Sequence, residues 1–250
     1  MPIMPNEFSK KELDAELLNM FEKSKDLLLK LAKPASDYTM KVPRSRFKEY
    51  NFSMLAKYCH MVEGADLLLD RQNYYCAFII ERAMLEIKMH IRYFYGHQNE
   101  MQAFLKNHKK FTKKDIITKG SKNQKVGEDE YRMYEFLCSI FHPSIEPFFL
   151  LAVSETRKVG NLNMSLVNFG PEYNQDSRLN VLFNIVRENV GLIDTEVMIL
   201  EDSADLSEHK KFVLDSVEKL NKYGKRVFWG QKSVQDTYDK LKRKRLEEIE

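Results

Sequence analysis

Residues 81–97, ERAMLEIKMHIRYFYGH, place an arginine, a glutamate, a tyrosine and two histidines at helical spacing. Arg82, Glu86 and His90 are successive i,i+4 steps, and Tyr93 with His97 repeats the step. All five therefore fall within an arc of about 80° on a helix. Such a stripe can line a functional polar pocket. The same spacing also serves two purely structural ends. It can lay ordinary i,i+4 ion pairs along an exposed face, each contributing about 0.3–0.5 kcal/mol, or it can form a buried Arg–Glu tie between helices. Gly96 precedes His97 and can end the helix there, so the direction of His97 is not set by spacing.

A second constellation is CSIFHPS, where Cys138 and His142 stand one helical turn apart. His142 lies at the helix end before Pro143, where a histidine can cap carbonyls and favour its charged form. Alternatively it reaches over the helix of residues 73–95 beside Arg82 and Glu86, where Glu86 would orient one imidazole nitrogen and leave the other for proton transfer or a ligand. No cysteine or histidine pairs cluster as zinc ligands do, and the paired E-x-x-H motifs of a di-iron bundle are absent, so no metal or cofactor is expected. Walker A, GxGxxG and GxSxG motifs are also absent. The segment 108–126, HKKFTKKDIITKGSKNQKV, holds seven lysines against Asp115 alone and reads as a loop. Lys109, Lys110, Lys113 and Lys114 are its candidates for a phosphate backbone, although Phe111 is its only aromatic for base stacking.

The elements that must position these residues are helical. Ser9 and Glu12 form an S-x-x-E capping box before an amphipathic run that Pro34 should stop. Helices are predicted over roughly 46–70, 73–95, 99–107 and 127–141, and the one over 73–95, apolar around most of its circumference, should be central. A sixth helix is expected over PSIEPFFLLAVSETRK, then a short β-hairpin near 159–173, a long helix from about Asp176, another over 205–222 and a terminal one. The fold class is all-α: a multi-helix bundle over 1–202, with additional C-terminal helices over 203–250. Trp229, the one tryptophan, would dock the last helix.

The chain has 250 residues, enough for a substantial core, and its net charge of +3 is too mild to imply nucleic acid by itself. Cys59, Cys76 and Cys138 are widely spaced and make no disulfide framework. The N-terminus lacks a signal-peptide pattern, and FFLLAV, the longest apolar run, is far short of the roughly 20 residues of a membrane helix. The expected setting is the cytoplasm, with no membrane partner.

YYCAFIIERAMLEIKMHIRYFY, followed by YRMYEFLCSIFHPS, resembles a widespread family of uncharacterised bacterial helical proteins. That family has an R-x-x-x-E pair on an apolar helix and a later serine–histidine motif near a helix end. Arg82, Glu86, Ser139 and His142 are the matching positions, and the resemblance covers roughly residues 45–200. It implies that the stripe and His142 belong to one feature, without naming a reaction. RYFYGH, Arg92 to His97, is similar to the R-x4-6-H motif of the HEPN superfamily of helical bundles, which includes ribonucleases of toxin and antiphage systems. This resemblance implies a homodimer in which Arg92 and His97 meet their counterparts and assist attack by an RNA 2′-hydroxyl without metal. Tyr93 departs from the motif, which usually has a small polar residue after the arginine. Three functions follow as expectations: an RNA-directed or antiphage-defence protein of HEPN type, a non-catalytic binding or regulatory module, or a hydrolase or transferase using Arg82, Glu86 and His142.

Overall fold

The computed structural model describes residues 9–41, 43–106, 111–121, 124–141, 153–159, 162–168, 175–202 and 204–224. Its helices in order are α1 (Lys10–Lys30), α2 (Ala32–Met40), α3 (Arg46–Asp70), α4 (Tyr74–Gly96), α5 (Gln98–Lys106), α6 (Lys113–Gly120) and α7 (Gln124–Phe141). An antiparallel hairpin follows, β1 (Val153–Val159) and β2 (Leu162–Asn168), in a register pairing Val153 with Asn168 and Val159 with Leu162. Then come α8 (Gln175–Leu200) and α9, at 207–224. The all-α class expected from periodicity is the architecture observed.

Four long helices form the centre. α1 packs along α8, α8 along α4, α4 along α3, and α3 returns to α1. They make a square with α1 opposite α4 and α3 opposite α8. Leu17, Phe21, Leu27, Leu55, Met84, Leu85, Phe94 and Val186 are among the side chains that fill it. α6 and α7 lie on the outer side of α4, which therefore touches helices on several sides and is central, as its apolar circumference requires. α9 docks on α1. Leu206, Val213, Leu220 and Tyr223 join the same core, and the buried His209 donates from Nε2 to the Leu27 carbonyl at 3.1 Å.

Local chemistry sets the ends of these elements. The Ser9–Glu12 capping box is formed on both sides. α3 ends in a Schellman motif: the amide of Asn73 donates to Leu68 and that of Gln72 to Leu69, with Gln72 at a φ of 56°. Asn73 then caps α4 by accepting from the Cys76 amide, so α4 reverses directly onto α3. Gly127 lets α6 and α7 cross closely, since a Cβ there would lie 2.7 Å from the Thr118 carbonyl oxygen.

Three expectations are corrected. Pro34 does not end the helical region. α1 stops at Lys30, and α2 starts at Ala32 with Pro34 in its first turn, where the missing N–H has no intrahelical partner to lose. The lysine-rich segment is not a loop throughout, because Thr112 caps α6 and buried Ile116 and Ile117 anchor it. The expected sixth helix is overturned over 153–158, which belong to β1, and the hairpin spans 153–168 rather than 159–173. Residues 143–152 and the expected terminal helix, with Trp229, lie outside the described residues.

Candidate functional site

The stripe of α4 divides into parts with different surroundings. At its N-terminal end Arg82 and Glu86 are half-buried, with Arg82 Nε 3.4 Å from Glu86 Oε1. Lys113, from the first turn of α6, completes a bridge to Glu86 Oε2 at 2.7 Å. Arg82 Nη2 donates to the Tyr134 hydroxyl of α7 at 3.3 Å, and its guanidinium lies 5.3 Å from the centre of that ring. Three helices thus converge on two cations, one carboxylate and a phenol. Burial alone would raise the Glu86 carboxyl, but Lys113 and Arg82 outweigh it and hold it below the ordinary range. The Ser139 side chain, His142, Lys109 and Lys110 lie outside the described residues. Lys114, on α6, stands 5.7 Å from the centre of the Tyr131 ring.

One turn further on, His90 leaves the polar cluster for an aromatic enclosure. Its ring is 5.3 Å from Phe104 and 5.9 Å from Phe94, and Nδ1 is 3.2 Å from the Tyr50 hydroxyl. Burial first, then the nearby Lys113, push its pKa down to about 4, so the ring is neutral at pH 7.

Arg92 and His97 are not presented together. His97 is the C-cap of α4, at a φ of −134°, one residue past the helix that carries Arg92. Arg92 turns inward to α8, donating from Nε to Thr195 Oγ1 at 2.8 Å and from Nη2 to the Gly191 carbonyl at 3.1 Å, with Nη1 3.4 Å from Glu130. His97 folds back on its own helix: it stacks on Tyr93 at 4.5 Å, and its Nδ1–H donates to the Tyr93 carbonyl at 2.8 Å. The Tyr93 hydroxyl bonds to Glu100.

Arg92 belongs to an ion network that spacing on α4 alone does not reveal. Lys88, only 3% exposed, reaches Glu188 of α8 at 2.5 Å and Glu130 of α7 at 3.0 Å. Arg187 forks onto the other Glu188 oxygen at 2.9 and 3.1 Å, and Ser121 bonds to Glu130. Burial would raise Glu188, yet Lys88 and Arg187 more than offset it and keep its carboxyl below the usual range. The crossing depends on Gly191, where a Cβ would come within 3.2 Å of Lys88 Cδ. Buried Glu81 sits at the network's edge, and burial, with Glu188 adding and Arg187 opposing, drives its carboxyl well above the ordinary range.

A second buried polar set crosses the square itself. Tyr58 of α3 donates to Asn189 Oδ1 at 3.0 Å, and Asn189 Nδ2 donates to Ser24 of α1 at 2.8 Å. Asn51 Nδ2, also on α3, donates to Glu196 Oε2 at 3.0 Å. The sequence signal for both sets is on α8, where Asn184, Glu188, Asn189, Thr195 and Glu196 interrupt an otherwise apolar helix; all five are buried.

Among the described residues no group of three His, Cys, Asp or Glu side chains could hold a metal ion, and no helix is long and apolar enough to cross a membrane. A groove of about 200 Å³ between α1, α2 and α3, lined by Leu29, Phe52, Leu55 and Cys59, is largely apolar. Compared with protein-family models, with curated proteins and with solved structures, the chain gives no match.

Proposed function

We propose that this chain is a non-catalytic helical binding or regulatory module, and that the Arg82–Glu86–Lys113–Tyr134 cluster is the part that meets a ligand. The observation that carries this reading is the internal engagement of Arg92. The guanidinium that a dimer-site ribonuclease would aim at a phosphate is spent on Thr195, Gly191 and Glu130 of its own chain. Arg82 and Lys113, by contrast, keep 35% and 41% of their side-chain surface exposed. A ligand bearing a carboxylate or phosphate suits them, because it could take the place of Glu86 on either cation.

The lysines of α6 favour a second reading, an RNA-directed or defence protein of HEPN type acting as a homodimer. Lys113, Lys114 and Lys119 stand on one short helix against Asp115. One pair of assays separates the two. RNA cleavage without added metal is compared for the natural chain and His97→Ala; the module reading expects no cleavage by either. Binding of a phosphorylated oligonucleotide and of inorganic phosphate is compared for the natural chain and Arg82→Ala/Lys113→Ala. Cleavage that disappears in His97→Ala would overturn the module, and phosphate binding unchanged in the double variant would remove the cluster as its site.

A further inference from the structure

The pair Asn51–Glu196 crosses the bundle centre between α3 and α8, which stand at opposite corners of the square. Glu196 is fully buried and Asn51 nearly so. One bond is present, from Asn51 Nδ2 to Glu196 Oε2. The other atoms of the same two groups, Asn51 Oδ1 and Glu196 Oε1, are both buried, and neither has a hydrogen-bond partner among the described residues. Both are acceptors when Glu196 is ionised, so neither can satisfy the other. A proton on Glu196 changes that, because Oε1–H then donates to Oδ1 and the carboxylic acid and amide close a planar ring of two hydrogen bonds. Rotating the Asn51 amide by half a turn only exchanges the two bonds and still needs the proton.

We propose that Glu196 holds a proton in the folded chain and closes this acid–amide ring with Asn51, so that losing the proton opens a diagonal clasp between α3 and α8. The surroundings fit a neutral carboxyl. No cation pairs with Glu196 among the described residues, and Arg92 of α4, which reaches the adjoining Thr195, is held there and by Gly191 and Glu130. Among the described residues, the Tyr38 hydroxyl of α2 and the Cys59 thiol of α3 feel Glu196. Both are raised, chiefly by burial and further by Glu196. α1 contributes the uncharged Ser24 nearby, through Asn189. Burial lifts Glu196 to about 7, with the Asn51 bond opposing it. The clasp is therefore poised to open near neutral pH, where the unclosed state leaves a charge and a carbonyl oxygen facing each other in the core.

The test is the side-chain carboxyl resonance of Glu196 in the isotopically labelled full chain, followed from pH 4 to 9, beside the stability of Glu196→Gln. Glutamine mirrors the neutral acid, since its amide can donate to Asn51 Oδ1 and accept from Nδ2. Expected are a titration midpoint near 7 and an unfolding-constant ratio, natural chain over variant, that grows by about tenfold per pH unit from near 5 to near 7 and then levels. A midpoint below 5, or a ratio flat across that range, would overturn the proposal. If Glu196→Gln does not fold, the resonance alone decides.

Discussion

Replacing Lys88 with methionine keeps most of the buried stem and removes the charge between two carboxylates. Lys88 stands 2.5 Å from Glu188 and 3.0 Å from Glu130, with the Glu188 side chain only 1% exposed. Breaking a buried ion pair by deleting one partner typically costs about 3–5 kcal/mol, because the remaining charge is left uncompensated. Here each acid retains a second cation, Arg187 for Glu188 and Arg92 for Glu130. The loss should therefore sit at the lower end, about 3 kcal/mol, or roughly 6–12 °C in Tm for a chain of this size. Urea titration at pH 7 measures it as a lower midpoint at unchanged slope. In Lys88→Met/Glu188→Gln the carboxylate that lost its 2.5 Å partner is neutral as well, and part of the loss should be recovered. Arg187 can still donate to the glutamine oxygen. A loss below about 1 kcal/mol in the single variant, or a double variant less stable than the single, would refute the claim that this network acts through compensated buried charge.

Two further outcomes follow from the geometry. Gly127→Ala should cost about 1–3 kcal/mol by forcing α6 and α7 apart at Thr118, whereas Gly96→Ala, with no atom within 4 Å of the added carbon, should be near neutral; parallel thermal melts of both compare them directly. His90 has a folded pKa near 4 against an ordinary value of 6.5, so its contribution is fully present above pH 6.5 and is lost as pH falls through 4. At about 1.4 kcal/mol per pKa unit this amounts to roughly 3 kcal/mol, which His90→Gln should not lose, and a ring titration midpoint at 6 or above would refute it. This linkage runs opposite to that of Glu196 over nearly the same range. The natural chain alone would show little net slope from the two, and only the single variants separate them.

The helices of the bundle and the central place of α4 were legible because periodicity and caps are local. So was the Arg82–Glu86 pair, an i,i+4 spacing. α2 was not, because Pro34 reads as a stop even where the first turn tolerates it. α6 was hidden by lysines, whose exposed charge says nothing about Ile116 and Ile117 beneath them. Arg92 and His97 match a motif in sequence, but the inward turn of Arg92 depends on Thr195, Gly191 and Glu130, which lie far along the chain. The buried acids and amides of α8 interrupt its apolar pattern, but their partners lie far along the chain. Asn189 meets Ser24 across 165 positions and Glu196 meets Asn51 across 145, distances at which no local spacing carries a signal.

Those separations also order events during synthesis. Ser24, Asn51, Tyr58 and Lys88 leave the ribosome well before α8, on which each has a buried partner. Until α8 has emerged, Asn51 and Tyr58 lack the buried partners that hold them in the interior, and a closed apolar core would have to exclude their polar groups. The nascent N-terminal helices are thereby discouraged from collapsing early onto one another, and the interior stays open for the strand of sequence that completes it.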